Sequence, residues 1–162
     1  VRGFAPVARA LPEARLAIVG ENRTHPPENL SDLVEHLDLG ARVTLHDYVD
    51  EDTLAGLYAQ ARVFVFLSEY EGFGLTPLEA MARGVPALLL DTPVARESCA
   101  GAADYVRHAD DRQEVAEAIL RLLTDDAHHA ARVASGRERA ATFTWDRAAR
   151  QTFDVIRAAV ED

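Results

Sequence analysis

Apolar positions follow two alternating rhythms along most of the chain. Four compact runs, Arg15 to Val19 closed by Gly20, Arg42 to His46, Val63 to Leu67 and Pro86 to Leu90, have the length and composition of strands. The last two are apolar at nearly every position, as expected of parallel strands covered on both faces, and are expected near the centre of the sheet. Between the runs the period changes to that of a helix: Leu30 to Leu39 ending at Gly40, and Asp52 to Ala61 with Leu54, Leu57, Tyr58 and Ala61 on one face. Strand and helix alternating over short connections predict a doubly wound, Rossmann-like α/β domain with a parallel sheet. A shorter strand is expected at Asp104-Tyr105-Val106. Beyond it, Gln113 to Leu123, Ala127 to Arg139 and Trp145 to Val160 predict a helical tail.

Composition narrows the class. A chain of 162 residues with 48% hydrophobic and 27% charged residues can close one core and is read as a single domain over 1–162. Seventeen Lys and Arg against twenty-seven Asp and Glu leave a net charge of −10, the wrong sign for broad capture of nucleic acid or an anionic membrane. Cys99 is the single cysteine, so no internal disulfide, cysteine-built zinc site or CxxC redox pair can form. No apolar run approaches the roughly 18 residues of a membrane span, and a cytoplasmic protein is expected. The non-methionine start at Val1, running almost directly into a helical pattern, reads as a fragment of a longer protein.

The chemistry is concentrated in Ser68 to Ala82, directly after the most apolar strand, where ligands of open α/β sheets bind. Gly72 and Gly74 allow a tight turn and close backbone approach. Thr76 suits the N-cap, Pro77 the first helical position and Glu79 the third. Free amides at such a start form an anion site, and a diphosphate fits it. Glu71 and Glu79 flank the loop as acceptors for paired hydroxyls, so the combination suggests a nucleotide sugar. Thr76 to Glu79 also reads as a capping box, in which Glu79 only accepts its own N-cap amide; Glu71 has no such duty.

The run Glu71-Gly72-Phe73-Gly74-Leu75-Thr76-Pro77-Leu78-Glu79-Ala80-Met81-Ala82, with Gly84 and Pro86, resembles the Glu-x7-Glu motif of retaining GT-B glycosyltransferases, most closely glycosyltransferase family 4. The likeness extends through Leu16 to Gly20, Val43 to Val49, Leu54 to Ala61, Glu97 and Asp104 to Val106. It implies the carboxyl-terminal, donor-binding half of a GT-B fold, with the amino-terminal acceptor-binding domain absent. It further implies transfer of a hexosyl group from a nucleotide-diphospho-sugar such as a UDP- or GDP-sugar, with no metal and no other cofactor. Glu71 would be the catalytic carboxylate near the anomeric centre, and Glu79 would hold the ribose hydroxyls. The loop from Gly72 through Phe73, Gly74, Leu75 and Thr76 would meet sugar and diphosphate, while Tyr48 and Val49 would line the base pocket.

Against the family's pattern, the strand preceding the first helix is missing. The interval from Arg2 to Leu11 is also short by about a helical turn of 3.6 residues, which bears on Arg2 as a clamp for the diphosphate. The missing-strand edge suggests dimerisation or strand exchange, and the absent half suggests peripheral attachment at the inner membrane face. Alternatives are a non-catalytic nucleotide-sugar-binding or interaction module and, disfavoured by the Glu71-to-Glu79 motif, a sugar-nucleotide epimerase.

Other residues have plainer readings. His128 and His129 are adjacent on a helix and point about 100° apart, a poor basis for a metal site. Cys99 reads as a small packed residue, and Trp145, after Thr144 as N-cap, as the residue that packs the last helix onto the body. Glu97 reads as a loop or short-helix carboxylate beside the site. Arg132, Arg137, Arg139, Arg147 and Arg150 read as a solvated helix face.

Overall fold

The computed structural model describes residues 1–22 and 26–161. The expected alternation is present: α1 (Phe4–Ala10), β1 (Leu16–Val19), α2 (Leu30–His36), β2 (Val43–His46), α3 (Glu51–Gln60), β3 (Phe64–Phe66), α4 (Leu75–Ala82), β4 (Ala87–Leu90), α5 (Pro93–Cys99), β5 (Asp104–Val106), α6 (Arg112–Thr124), α7 (Asp126–Ala141) and α8 (Trp145–Glu161). Helix α2 stops three residues earlier than its apolar pattern. Asp38 takes a left-handed conformation at φ 56, which a short polar side chain tolerates and a continuing helix does not. The amide of Leu39 then closes on the carbonyl of Val34, turning Leu39 into the core.

Every strand pairing is parallel, but the ladder is divided. β1 pairs with β2 from Leu16 with Val43 to Val19 with His46, and β4 lies between β3 and β5. Of the two strands expected at the centre, β4 is buried at all four positions, whereas β3 is half-buried throughout and, among the described residues, pairs with β4 alone. Among the described residues no strand joins β1 to β3. The two sheets nevertheless share a core: Leu16 and Ile18 of β1 and Val63, Val65 and Leu67 around β3 pack on the cluster of Val7, Leu88, Val106 and Leu122.

Helices α1 and α6 cover one part of this core through Phe4, Val7, Val115 and Ile119. On the other side α4 lies along α7, with Met81 against Gly136, where a Cβ would stand 3.1 Å from Met81 Cγ. That close approach seats α4, on which Glu79 stands. Among the described residues no helix is long and apolar enough to cross a membrane.

Helix α8 corrects an expectation. Thr144 does cap it, accepting from the Arg147 amide at 3.2 Å. Trp145, however, is 92% exposed and packs on nothing in the body, because α8 is exposed at every position from Trp145 to Val160.

Candidate functional site

The site is built where β3 and β4 end. After Phe66 the chain leaves the sheet, and Ser68 Oγ donates to the carbonyl of Tyr70 at 3.1 Å, folding the segment back on itself. Glu71 is thereby half-buried and lines a cleft with Phe66, Ser68, Gly74, Thr92 and Ser98. Thr92 and Ser98 come from α5 and its approach, so the wall opposite Glu71 is supplied by the connection after β4. This is the crevice beyond the carboxyl ends of parallel strands where open α/β sheets take ligands.

Helix α4 begins two residues earlier than its sequence suggests. Its N-cap is Gly74, in the left-handed region at φ 81 and ψ 52, and no side chain caps it. Thr76 is therefore the second helical residue, Pro77 the third and Glu79 the fifth. A left-handed N-cap selects glycine, since a Cβ there would oppose the following carbonyl. Pro77 has no amide and is accommodated within the first turn. The amides left at this start belong to Gly74, Leu75 and Thr76, as the positive end of the helix dipole.

This shift removes the capping-box reading of Glu79. One turn into α4, its side chain is exposed and makes no capping bond. It lies on the side of Tyr58 and Arg83: burial first, and the Glu79 charge second, push the Tyr58 phenol above its usual range. Arg83 stacks 4.8 Å over the Tyr58 ring and donates to the Glu79 carbonyl at 3.2 Å. The two motif carboxylates thus occupy different surfaces, Glu71 in the cleft and Glu79 outside it. Gly72, Phe73, Leu75 and Thr76 are exposed on the rim. Tyr48, 84% exposed, and Val49, half-buried, follow β2 in the turn that Asp50 closes by accepting from the Thr53 amide; neither lines the cleft.

Arg2 is engaged elsewhere. Its guanidinium forms a two-pronged pair with Glu28, which raises the arginine and holds the Glu28 carboxyl below its usual range. Asp91, at the end of β4, is likewise held low by Arg96, which stacks 3.7 Å over the Tyr105 ring. His128 Nε2 lies 2.6 Å from Asp104 Oδ2, while His129 Nε2 meets the Arg62 carbonyl at 3.1 Å. The histidine pair diverges as its helical spacing requires, and among the described residues no group of three or more His, Cys, Asp or Glu could hold a metal.

Not all of the tail arginines are solvated. Arg132 donates to the Gly101 carbonyl at 2.6 Å, and its Nε stands 2.7 Å from Asp104 Oδ1 as an ion pair without an aligned hydrogen bond. Arg139 donates to the carbonyls of Ser98 and Glu97 at 2.8 and 2.6 Å. Cys99 is fully buried, and burial pushes its thiol up. The residue missed from the sequence is Ser98, whose buried hydroxyl donates to the Val94 carbonyl at 2.9 Å and reaches the cleft. A lone serine in a seven-residue helix carries no spacing signal; its neighbour Glu97, singled out as a charged residue, is exposed and outside the cleft.

Residues 2–139 match the family model described as glycosyl transferases, group 1. The chain is 33% identical over 161 residues to the O-antigen chain mannosyltransferase B of Escherichia coli, covering 97% of this chain and 42% of that protein. It is also 33% identical over 151 residues to the GDP-mannose-dependent alpha-(1-6)-phosphatidylinositol dimannoside mannosyltransferase of Mycobacterium tuberculosis, covering 92% and 37%. Among solved structures, sucrose-phosphate synthase from Thermosynechococcus elongatus superposes with a TM-score of 0.77 at 27% identity, over 99% of this chain and 42% of that one. The chain therefore spans less than half the length of these similar proteins.

Proposed function

The chain belongs to the group 1 glycosyl transferases, and from that premise we propose that it is the donor-binding half of a metal-independent, retaining hexosyltransferase that uses a nucleotide-diphospho-sugar. The observation that carries the reading is the conjunction in one cleft of half-buried Glu71 with the left-handed Gly74 that opens α4. A departing diphosphate accumulates negative charge. Amides fixed at a helix start need not reorganise to meet that charge, which is the condition under which such donors stabilise a transition state. Glu71, about one turn of chain away, offers a carboxylate to the sugar hydroxyls and to the cationic character that develops at the anomeric carbon. Glu79, free of any capping duty, is available to the ribose hydroxyls on the outer side of the same helix.

Transfer requires an acceptor held against the anomeric carbon and a site closed to water. Both are assigned to the part of the longer relatives that this chain does not cover. The mannosyltransferase names of two similar proteins make a mannosyl donor the first candidate.

Titration calorimetry of the chain against UDP, GDP, ADP and their hexose conjugates, with GDP-mannose first, tests the reading. Saturable binding of one nucleotide, weakened by Glu79→Ala, is expected, with the sugar conjugate additionally sensitive to Glu71→Gln. Binding that neither substitution changes would overturn the assignment of these carboxylates.

A further inference from the structure

The rim of the cleft carries an aromatic contact that neither the glycine-rich motif nor the core requires. Phe73, 49% exposed, stands between Gly72 and Gly74; Phe143, 37% exposed, lies seventy residues later in the turn between α7 and α8. Their rings meet edge to face with centroids 5.7 Å apart. Phe143 is itself seated by Arg139, whose guanidinium stacks 4.8 Å from its ring centroid. The same guanidinium donates to the carbonyls of Glu97 and Ser98 at the end of α5. Ser98 Oγ in turn lies where it would touch a Cβ placed on Gly74, at 3.4 Å. One arginine thus ties Phe143, which packs on Phe73, to the end of α5, where Ser98 faces Gly74 across the cleft.

The geometry points to Phe143, held by Arg139, as a positioning residue that fixes the Gly72–Leu75 backbone in the conformation that receives the donor diphosphate. The physical need is specific. A segment with glycines at two of four positions loses more conformational freedom on ordering than any other, and oriented amides act on developing charge only if they are already in place. Phe73 cannot supply this order from the core, because half of its surface faces solvent; its edge-to-face partner is Phe143. Phe143 touches no ligand in this arrangement and acts through Phe73. The inference rests on the reading of this loop as the donor site.

Two measurements on the same variants separate the inference from that reading. Backbone 15N order parameters of Gly72–Leu75 need no ligand: Phe143→Ala should lower them from about 0.85 towards 0.6 or below, while those of Leu78–Ala82 in α4 and of α7 keep their wild-type values. Calorimetry with the nucleotide that wild type binds should show Kd rising about two- to tenfold, the range of an edge-to-face pair. Phe143→Tyr should restore both, and Phe153→Ala on α8, which removes an exposed ring far along the chain, should change neither. Combining Phe73→Ala with Phe143→Ala should cost no more than Phe73→Ala alone. Unchanged loop order parameters in Phe143→Ala, or strictly additive effects of the two substitutions, would overturn the positioning role. A loop ordered by Phe143 in a chain that binds none of the nucleotides would leave the contact standing and overturn the functional reading instead.

Discussion

Ser98 Oγ stands 3.4 Å from the place a Cβ on Gly74 would occupy, and Gly74 holds φ 81 at the first turn of α4. Space is therefore not what excludes a side chain at position 74; conformation is. Gly74→Ala should destabilise the chain by about 1–2 kcal/mol from the left-handed backbone alone. Urea unfolding measures that cost, and a loss of nucleotide binding larger than the stability change would show that the amides of Leu75 and Thr76 have moved.

Glu79→Ala separates the two readings of the Glu-x7-Glu spacing. If Glu79 completed a capping box, its removal would cost about 1 kcal/mol. With the cap at Gly74 and the carboxylate exposed, the change in unfolding free energy should stay within about 0.5 kcal/mol, while nucleotide affinity falls.

Asp104 anchors α7 to β5. It meets His128 Nε2 at 2.6 Å and Arg132 Nε at 2.7 Å, with its own side chain 13% exposed. Asp104→Ala leaves a largely buried cation without its counter-charge and should cost about 3 kcal/mol or more, read as a lower midpoint in urea. Because α7 also supports α4 through Gly136 and Met81, binding should weaken alongside stability.

The Tyr105 phenol is pushed up to about 12, chiefly by burial and secondarily by Cys99. Its hydroxyl donates to the Ala100 carbonyl at 2.5 Å. In the folded chain it therefore keeps its proton between its ordinary value of 10 and about 12, whereas the unfolded chain loses it. The folded state binds more protons in that window, so this contribution to stability is complete below pH 10 and declines as pH rises towards 12. Ultraviolet titration of wild type minus Tyr105→Phe should show one tyrosine ionising late, and the substitution should flatten the alkaline loss of stability.

Helix α8 carries Trp145, Phe153, Ile156 and Val160 on its surface at 92, 62, 57 and 81% exposure. Paired Phe153→Ser and Ile156→Ser should move the unfolding free energy by less than about 0.5 kcal/mol, because both side chains are exposed on α8. Thermal unfolding followed by circular dichroism checks it.

Much of this architecture is legible in the sequence because its determinants are local. The unbroken apolar runs at Val63 to Leu67 and Pro86 to Leu90 read as strands and hold β3 and β4, of which β4 alone is buried at every position, and the period of Gln113 to Leu123 reads as the helix that puts Val115, Ile119 and Leu122 into the core. The order of residues from Ser68 to Ala82 also told of a glycine-rich turn leading into a helix at the end of a strand, and hence of an anion site, since that conclusion needs backbone conformation alone.

The sequence did not decide where that helix starts. Thr76, Pro77 and Glu79 satisfy every local preference for a helix beginning at residue 77, yet the left-handed turn at Gly74 starts it two residues sooner. Nor could it divide the parallel strands into two ladders, turn Arg139 from a surface charge into the link between α5 and Phe143, or leave Trp145 in solvent. Each of these depends on which groups meet between elements that are distant along the chain. Local sequence determined the elements and the chemistry of the loop; tertiary packing decided its exact entry into α4, the separation of Glu71 from Glu79, and the side chains that hold it still.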